Sequence, residues 1–359
     1  MKILHITNTL EEGGLETFLY ELLPLLKNNN IDVELLVLDK NKVKLKPIFE
    51  EKGIKIHTGK FNCIYNPLNI FIIRKYLKKY DIIHIHLFPT QYFAAIAKLL
   101  IFKVPIMITT EHSSYNRRRS KYWLRLIETF IYKQYRYITT VSFEAKNCLD
   151  KWAKTSNKTY AIYNGINLNQ YHNASPHPRQ NLGFTNDDKL ILMVARFFSQ
   201  KDHLTPIKAL SLTPFNTHLL YVGSGDTVDF YKEKAKEYGV ADRIHFLGRR
   251  SDIPELAKMC NIGLLASNYE GFGLSTLEIM AAGKPVIVSD IDGIRELVKG
   301  YGLLFKNYDI NDLAEKITSL NDPIYYESIR IQCLKRSKDF DISKTVQQYI
   351  KLYTTSYNE

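Results

Sequence analysis

Two carboxylates, Glu270 and Glu278, stand on either side of a glycine-rich turn in the stretch EGFGLSTLEIMAAGKP, Glu270 to Pro285. The apolar spacing after the turn, with Gly283 and Pro285 as stop signals, predicts a helix that starts at Gly273 or Leu274. Such a start offers unpaired N–H groups and the positive end of the helix dipole, which suits an anion such as a diphosphate. Glu270 precedes the helix and Glu278 falls in its second turn, so the acids flank the anion position rather than fill it. Carboxylates accept charge-assisted hydrogen bonds from sugar hydroxyls. A ligand with phosphate in its middle and hydroxyls at both ends is a nucleotide sugar.

Other chemistry-bearing residues follow apolar runs of strand length. Arg196 and Lys201 come after LILMVA, where a bent loop could aim both cations at one anion. Gly223 and Gly225 in VGSGD either permit a close backbone approach or serve a plain turn. Gly13 and Gly14 follow the first run and precede a helical stretch, but their spacing is not that of a dinucleotide fingerprint, which disfavours an oxidoreductase. His112 in TTEHSS follows another run. Asp290 and Asp292 in SDIDG offer the one acidic pair resembling a metal site, yet Arg196, Lys201 and the helix amides already supply positive charge. No metal and no cofactor are expected.

The elements that must position these groups alternate. KILHIT, DVELLVL, DIIHIHL, PIMITTE, YITTVS and TYAIYN, with helical stretches among them, predict βαβ units and a parallel sheet over residues 1–165. An irregular segment from Asn164 to Phe184 reads as a linker. KLILMVA, THLLYVG, RIHFLG, NIGLLAS and PVIVSD then predict a second α/β domain over 166–342, and a last helix at about 343–359 could return to the first. Parallel sheets bind ligands beyond the carboxyl ends of their strands. Two domains with strand ends facing one cleft would gather every residue named so far.

EGFGLSTLEIMAAGKPVIVSD resembles the C-terminal signature of retaining glycosyltransferases of family 4, and the resemblance extends over essentially the whole chain. It implies a GT-B fold: two Rossmann-like parallel-sheet domains facing an inter-domain cleft. By that resemblance Glu278 would bind ribose hydroxyls, Glu270 the donor sugar, and the amides around Phe272, Gly273, Leu274 and Ser275 the sugar and phosphate oxygens. Arg196 and Lys201 would neutralise the leaving diphosphate, Gly13 and Gly14 would approach donor phosphate and acceptor, and His112 would meet the donor sugar. LGRRSDIPEL resembles the segment that holds the base, with Arg249 and Ser251 to Ile253 as its candidates. Asp292 stands where members often carry glycine, a departure that bears on the local sugar contacts. The implied reaction moves a sugar from a nucleoside diphosphate sugar, UDP being the expected nucleotide, to an acceptor hydroxyl on a glycan or lipid-linked acceptor. Polysaccharide or glycolipid biosynthesis is the implied setting. A nucleotide-sugar epimerase or a phosphorylase is the alternative within the fold.

The chain has 359 residues and a formal net charge of +12, with 45% hydrophobic and 24% charged residues. This is a folded composition, long enough for two cores. The positive balance favours phosphorylated substrates or an anionic leaflet, and leaves a non-catalytic polyanion-binding or membrane-binding module as the competing class. Nucleic acid is not expected, for want of a recognisable motif. Ser113–Tyr137 carries seven Lys/Arg residues among many aromatics. Its two readings are a peripheral membrane or acceptor contact and an amphipathic helix with its apolar face inward and its charges solvated. MKILHI is too short for a signal-peptide core, so a cytoplasmic location is expected, with the inner membrane face as its variant. Cys63, Cys148, Cys260 and Cys333 show no ligand spacing and read as buried fillers.

Overall fold

The computed structural model describes residues 1–11, 13–102, 104–114 and 116–358, with Arg117 described by its backbone alone. Glu12 of the first loop and Tyr115 of the basic aromatic segment thus lie outside the described residues. The chain forms two units, residues 1–165 with 342–359, and residues 166–341.

Seven strands build the first unit: β1 Lys2–Thr7, β2 Asp32–Asp39, β3 Lys55–Phe61, β4 Ile82–His86, β5 Ile106–Glu111, β6 Tyr137–Thr140 and β7 Thr159–Ala161. All pair in parallel, in the order β3-β2-β1-β4-β5-β6-β7. Parallel strands need crossover helices, which cover both faces and make the strands apolar throughout. One face packs Leu4, Ile6, Ile83, Ile85 and Met107 into the main core. The residues between them point the opposite way, and there the strands carry His5, His84 and His86, all fully buried. The last helix, Ile342–Asn358, buries Tyr349 and Tyr353 against that polar column.

Six strands build the second unit: β8 Lys189–Val194, β9 Thr217–Val222, β10 Ile244–Phe246, β11 Ile262–Leu265, β12 Val286–Ser289 and β13 Leu303–Phe305. Their order is β10-β9-β8-β11-β12-β13, again parallel. The direction of winding reverses between β8 and β11, and in the first unit between β1 and β4. Loops leaving a sheet on either side of such a reversal diverge and open a crevice. Arg196 and Lys201 leave β8, and Glu270 through Glu278 follow β11, so the second unit puts both sets at its own switch point.

The segment expected to be a linker is packed structure. Leu168–His172 is a short helix lying on the helices Ile253–Met259 and Leu274–Ala281. Arg179 donates to the carbonyls of Asp188 at 2.7 Å and Met259 at 3.2 Å and to Asn261 Oδ1 at 2.9 Å. Its polar residues satisfy backbone groups far along the chain, a pairing that local composition does not reveal. Cys63 is exposed rather than buried, because it sits in the loop after β3. Cys260 and Cys333 are buried, and burial pushes both thiols up to about 12.

Candidate functional site

The helix after β11 runs Leu274–Ala281, with Gly273 at φ +86° as its N-cap and Gly283 at φ +76° just past its end. Both glycines hold left-handed backbone that a side chain would strain. Among the described residues no side chain caps the start, so the first amides remain for a ligand. The Thr276 hydroxyl of the same turn is buried without a hydrogen-bond partner among those residues. Glu278 is 8% exposed and Glu270 likewise 8%. Phe272 anchors the turn, buried edge-on against Phe340 with ring centroids 5.1 Å apart. Truncating such a ring costs about 3–5 kcal/mol, enough to loosen everything the turn presents.

The loop after β8 is laced onto the loop after β11. Lys201 bridges Ser267, Asp202 N–H donates to Ala266 O at 3.0 Å, and Asn268 N–H donates to Gln200 O at 2.8 Å. Gln200 Nε2 adds a bond to Tyr269 O at 3.1 Å. This lacing delivers Lys201 to Glu270, and the two form an ion pair with side chains 15% and 10% exposed. Lys201 is engaged by the acid, while Arg196 is exposed, lies 5.2 Å over the Phe198 ring, and has no carboxylate partner among the described residues.

Close approach accounts for the glycines after β9. A Cβ on Gly223, at φ +146°, would strike the Ala195 carbonyl, and one on Gly225 the Phe197 carbonyl. Phe197 N–H donates to Ser224 O at 3.0 Å, so the two loops lie flat together beside Arg196. Arg249 Nε donates to Ser224 Oγ at 2.6 Å, which brings the base candidate to the same rim. A Cβ on Gly293 would likewise strike the Glu270 carbonyl. Asp290 and Asp292 both face Arg295, the second at 2.8 Å. One guanidinium thus engages both carboxylates.

In the first unit Gly13 caps the helix Gly14–Asn28 in extended backbone that any residue adopts, and a Cβ there would meet only the Glu16 carboxylate. His112 follows β5 and bonds His86 at 3.0 Å. Sequence reasoning missed Thr276, His203, which stacks on Phe197 with centroids 4.1 Å apart, and the histidines His5, His84 and His86. The i, i+2 spacing of His84 and His86 was the available signal for a shared sheet face.

Residues 12–170 match the family profile Glycosyltransferase Family 4, and residues 175–331 match Glycosyl transferases group 1. An uncharacterized glycosyltransferase of Methanocaldococcus jannaschii is 31% identical over 313 residues, covering 83% of this chain and 82% of that one. The chain belongs to glycosyltransferase family 4. A shorter match, 30% identical, covers 62% of this chain and 60% of another glycosyltransferase from that organism, so it spans less than two thirds of that relative. The UDP-Gal:α-D-GlcNAc-diphosphoundecaprenol α-1,3-galactosyltransferase of Escherichia coli is 28% identical, over 77% of this chain and 76% of its own. Anabaena HepE, solved with UDP and glucose, superposes with a TM-score of 0.87 at 22% identity, covering 99% of each chain. The fold of this family 4 member is GT-B, two Rossmann-like parallel-sheet units.

Proposed function

We propose that this family 4 enzyme moves a sugar from a UDP-sugar to a hydroxyl of a lipid-linked or growing glycan acceptor, with retained anomeric configuration. The observation that carries this reading is the second unit's switch point: among the described residues, a helix start that no side chain caps, a lysine, an arginine without a carboxylate partner and two shielded carboxylates around one turn. Glu278 holds the ribose, Glu270 the transferred sugar, Arg196 and Lys201 the diphosphate, and the rim of Arg249 with Ser251 to Ile253 the base. In the first unit His112 contacts the sugar, and the loop at Gly13 and Gly14 serves donor and acceptor. The UDP-Gal donor and GlcNAc-diphosphoundecaprenol acceptor of the E. coli relative, with the UDP bound to HepE, support the nucleotide and the lipid link. Retention is what the family resemblance implies, and with no carboxylate nucleophile proposed the departing phosphate takes the acceptor proton. Catalysis is then positioning and stabilisation of leaving-group charge. The test is incubation of UDP-sugars with undecaprenyl-diphosphate-linked sugars, with product stereochemistry read by NMR and EDTA added to half the samples. Transfer with an α-linked product in both halves is expected from an α-linked donor. Epimerised donor, free sugar phosphate or a strict need for Mg²⁺ overturns the corresponding part.

A second observation favours work at a membrane surface. Of the two readings of the basic aromatic segment, the inward apolar face is only half of what the helix Leu124–Lys133 shows. Glu128, Ile131 and Tyr132 are buried, yet Tyr122, Trp123, Leu126 and Phe130 are 72%, 64%, 81% and 50% exposed. The segment's one acid, Glu128, is buried against Arg118 Nε at 2.6 Å, whereas Lys121, Lys133 and Arg136 are exposed. Exposed apolar side chains on a segment whose exposed charges are cationic suit an anionic leaflet. Among the described residues no helix is long and apolar enough to cross a membrane. Co-sedimentation with phosphatidylglycerol vesicles should exceed that with phosphatidylcholine and fade with salt, and Leu126→Ser with Phe130→Ser should lower it. Equal binding to both vesicle types, or none, overturns the docking.

A further inference from the structure

Four imidazoles of the first unit form one hydrogen-bonded chain that ends at His112. His112 Nε2 lies 3.0 Å from His86 Nδ1, and His86 Nε2 lies 3.0 Å from His5 Nδ1. His5 Nε2 lies 3.3 Å from the Tyr353 hydroxyl, which lies 2.6 Å from His84 Nδ1. His84 Nε2 lies 2.6 Å from Thr110 Oγ1, itself 2.6 Å from Thr139 Oγ1. Burial holds His5 and His112 down at about 3 and His84 and His86 well below the usual imidazole range. Every ring is then neutral, with one donor nitrogen and one acceptor. A chain of such rings must run in one direction throughout.

The bond between Thr110 and Thr139 could run either way by itself, and the Thr139 end favours one direction. The Thr139 hydroxyl points at the Thr109 carbonyl at 3.5 Å, which can only accept. Thr110 therefore donates to Thr139 and accepts from His84 Nε2–H. His84 Nδ1 accepts from the Tyr353 hydroxyl, whose oxygen accepts from His5 Nε2–H. His5 Nδ1 accepts from His86 Nε2–H, and His86 Nδ1 accepts from His112 Nε2–H. The geometry points to His5, His84, His86 and Tyr353 as positioning residues that lock His112 in its Nε2–H tautomer, leaving Nδ1 as a hydrogen-bond acceptor for a sugar hydroxyl. The consequence for transfer rests on the proposed role of His112, whereas the tautomer itself does not.

The same trio, His5, His84 and His86, has ring nitrogens within 4.8 Å of one another, the spacing of a possible metal site. The rings argue against an ion there. His84 and His86 stack at 4.5 Å, and their nitrogens are spent, those of His84 on Tyr353 and Thr110 and those of His86 on His5 and His112.

Long-range ¹⁵N–¹H correlation spectra of the full chain with labelled histidine test this, the His112 signals being identified by their loss in His112→Gln. Wild type should show His112 protonated at Nε2 alone. Tyr353→Phe keeps the ring and removes the hydroxyl, so it should leave His112 in mixed tautomers. In that variant kcat should fall about 10-fold with the donor KM nearly unchanged, as expected for a misoriented contact. An Nδ1–H tautomer in wild type, or a tautomer unmoved by Tyr353→Phe, overturns the chain, as does one equivalent of added Zn²⁺ shifting the ¹⁵N signals of His5, His84 and His86. If the tautomer shifts and kcat does not, positioning is overturned. If wild type transfers no sugar while the tautomer is as stated, the failure belongs to the proposed reaction alone.

Discussion

Alanine at Arg196 should lower turnover about 100-fold or more, the usual loss when one preorganised stabiliser of developing charge is removed. The leaving diphosphate gains negative charge as the glycosidic bond breaks, and Arg196 is the site's cation without a carboxylate partner among the described residues. Because its side chain is exposed, removal should leave the melting temperature nearly unchanged. Lys201→Ala should cost as much turnover for a second reason as well. It takes the lysine from the shielded Glu270 carboxylate, and a shielded charge that loses a counter-ion destabilises the fold. A lower melting temperature for Lys201→Ala but not for Arg196→Ala is therefore expected from thermal unfolding run beside the kinetics. Near-normal turnover in both variants removes the diphosphate assignment.

The strand-end loops were legible in the sequence because parallel sheets interrupt apolar runs only where strands end, and there glycines and charges stand out. Gly223, Gly273 and Glu270 could be placed at strand ends from the linear pattern, and the family resemblance carried the GT-B fold. What the pattern lacked was partners. The Lys201–Glu270 pair depends on two loops meeting across 69 residues of chain. The histidine column depends on β1, β4 and β5 being neighbours and on a helix from the far end of the chain covering them. HIH within an apolar strand looks like ordinary filling until register puts His5 opposite His84. The segment through Arg179 was misread for the same reason, since its partners at Met259 and Asn261 are about 80 residues away and composition is blind to separation.

The ion pair changes what the two acids should do when each is removed. If Glu278 holds the ribose, Glu278→Ala should weaken UDP and the complete UDP-sugar alike, by about 10- to 100-fold, the worth of a hydrogen bond to a charged group. Glu270→Ala should behave otherwise. If, of the donor, its carboxylate meets the transferred sugar alone, UDP should bind at least as tightly as to wild type, because Lys201 no longer has a carboxylate to leave before it meets the diphosphate. Turnover should nonetheless fall about 100-fold, since the anomeric carbon loses the group that orients it. Glu270→Gln, which keeps the shape and frees the lysine in the same way, should repeat the UDP result without disturbing the turn that Phe272 anchors. Calorimetric titration of the three variants with UDP and with donor decides the matter. Loss of UDP binding in Glu270→Gln as severe as in Glu278→Ala would mean that the pair itself builds the phosphate site and that the acids have no separate ligands.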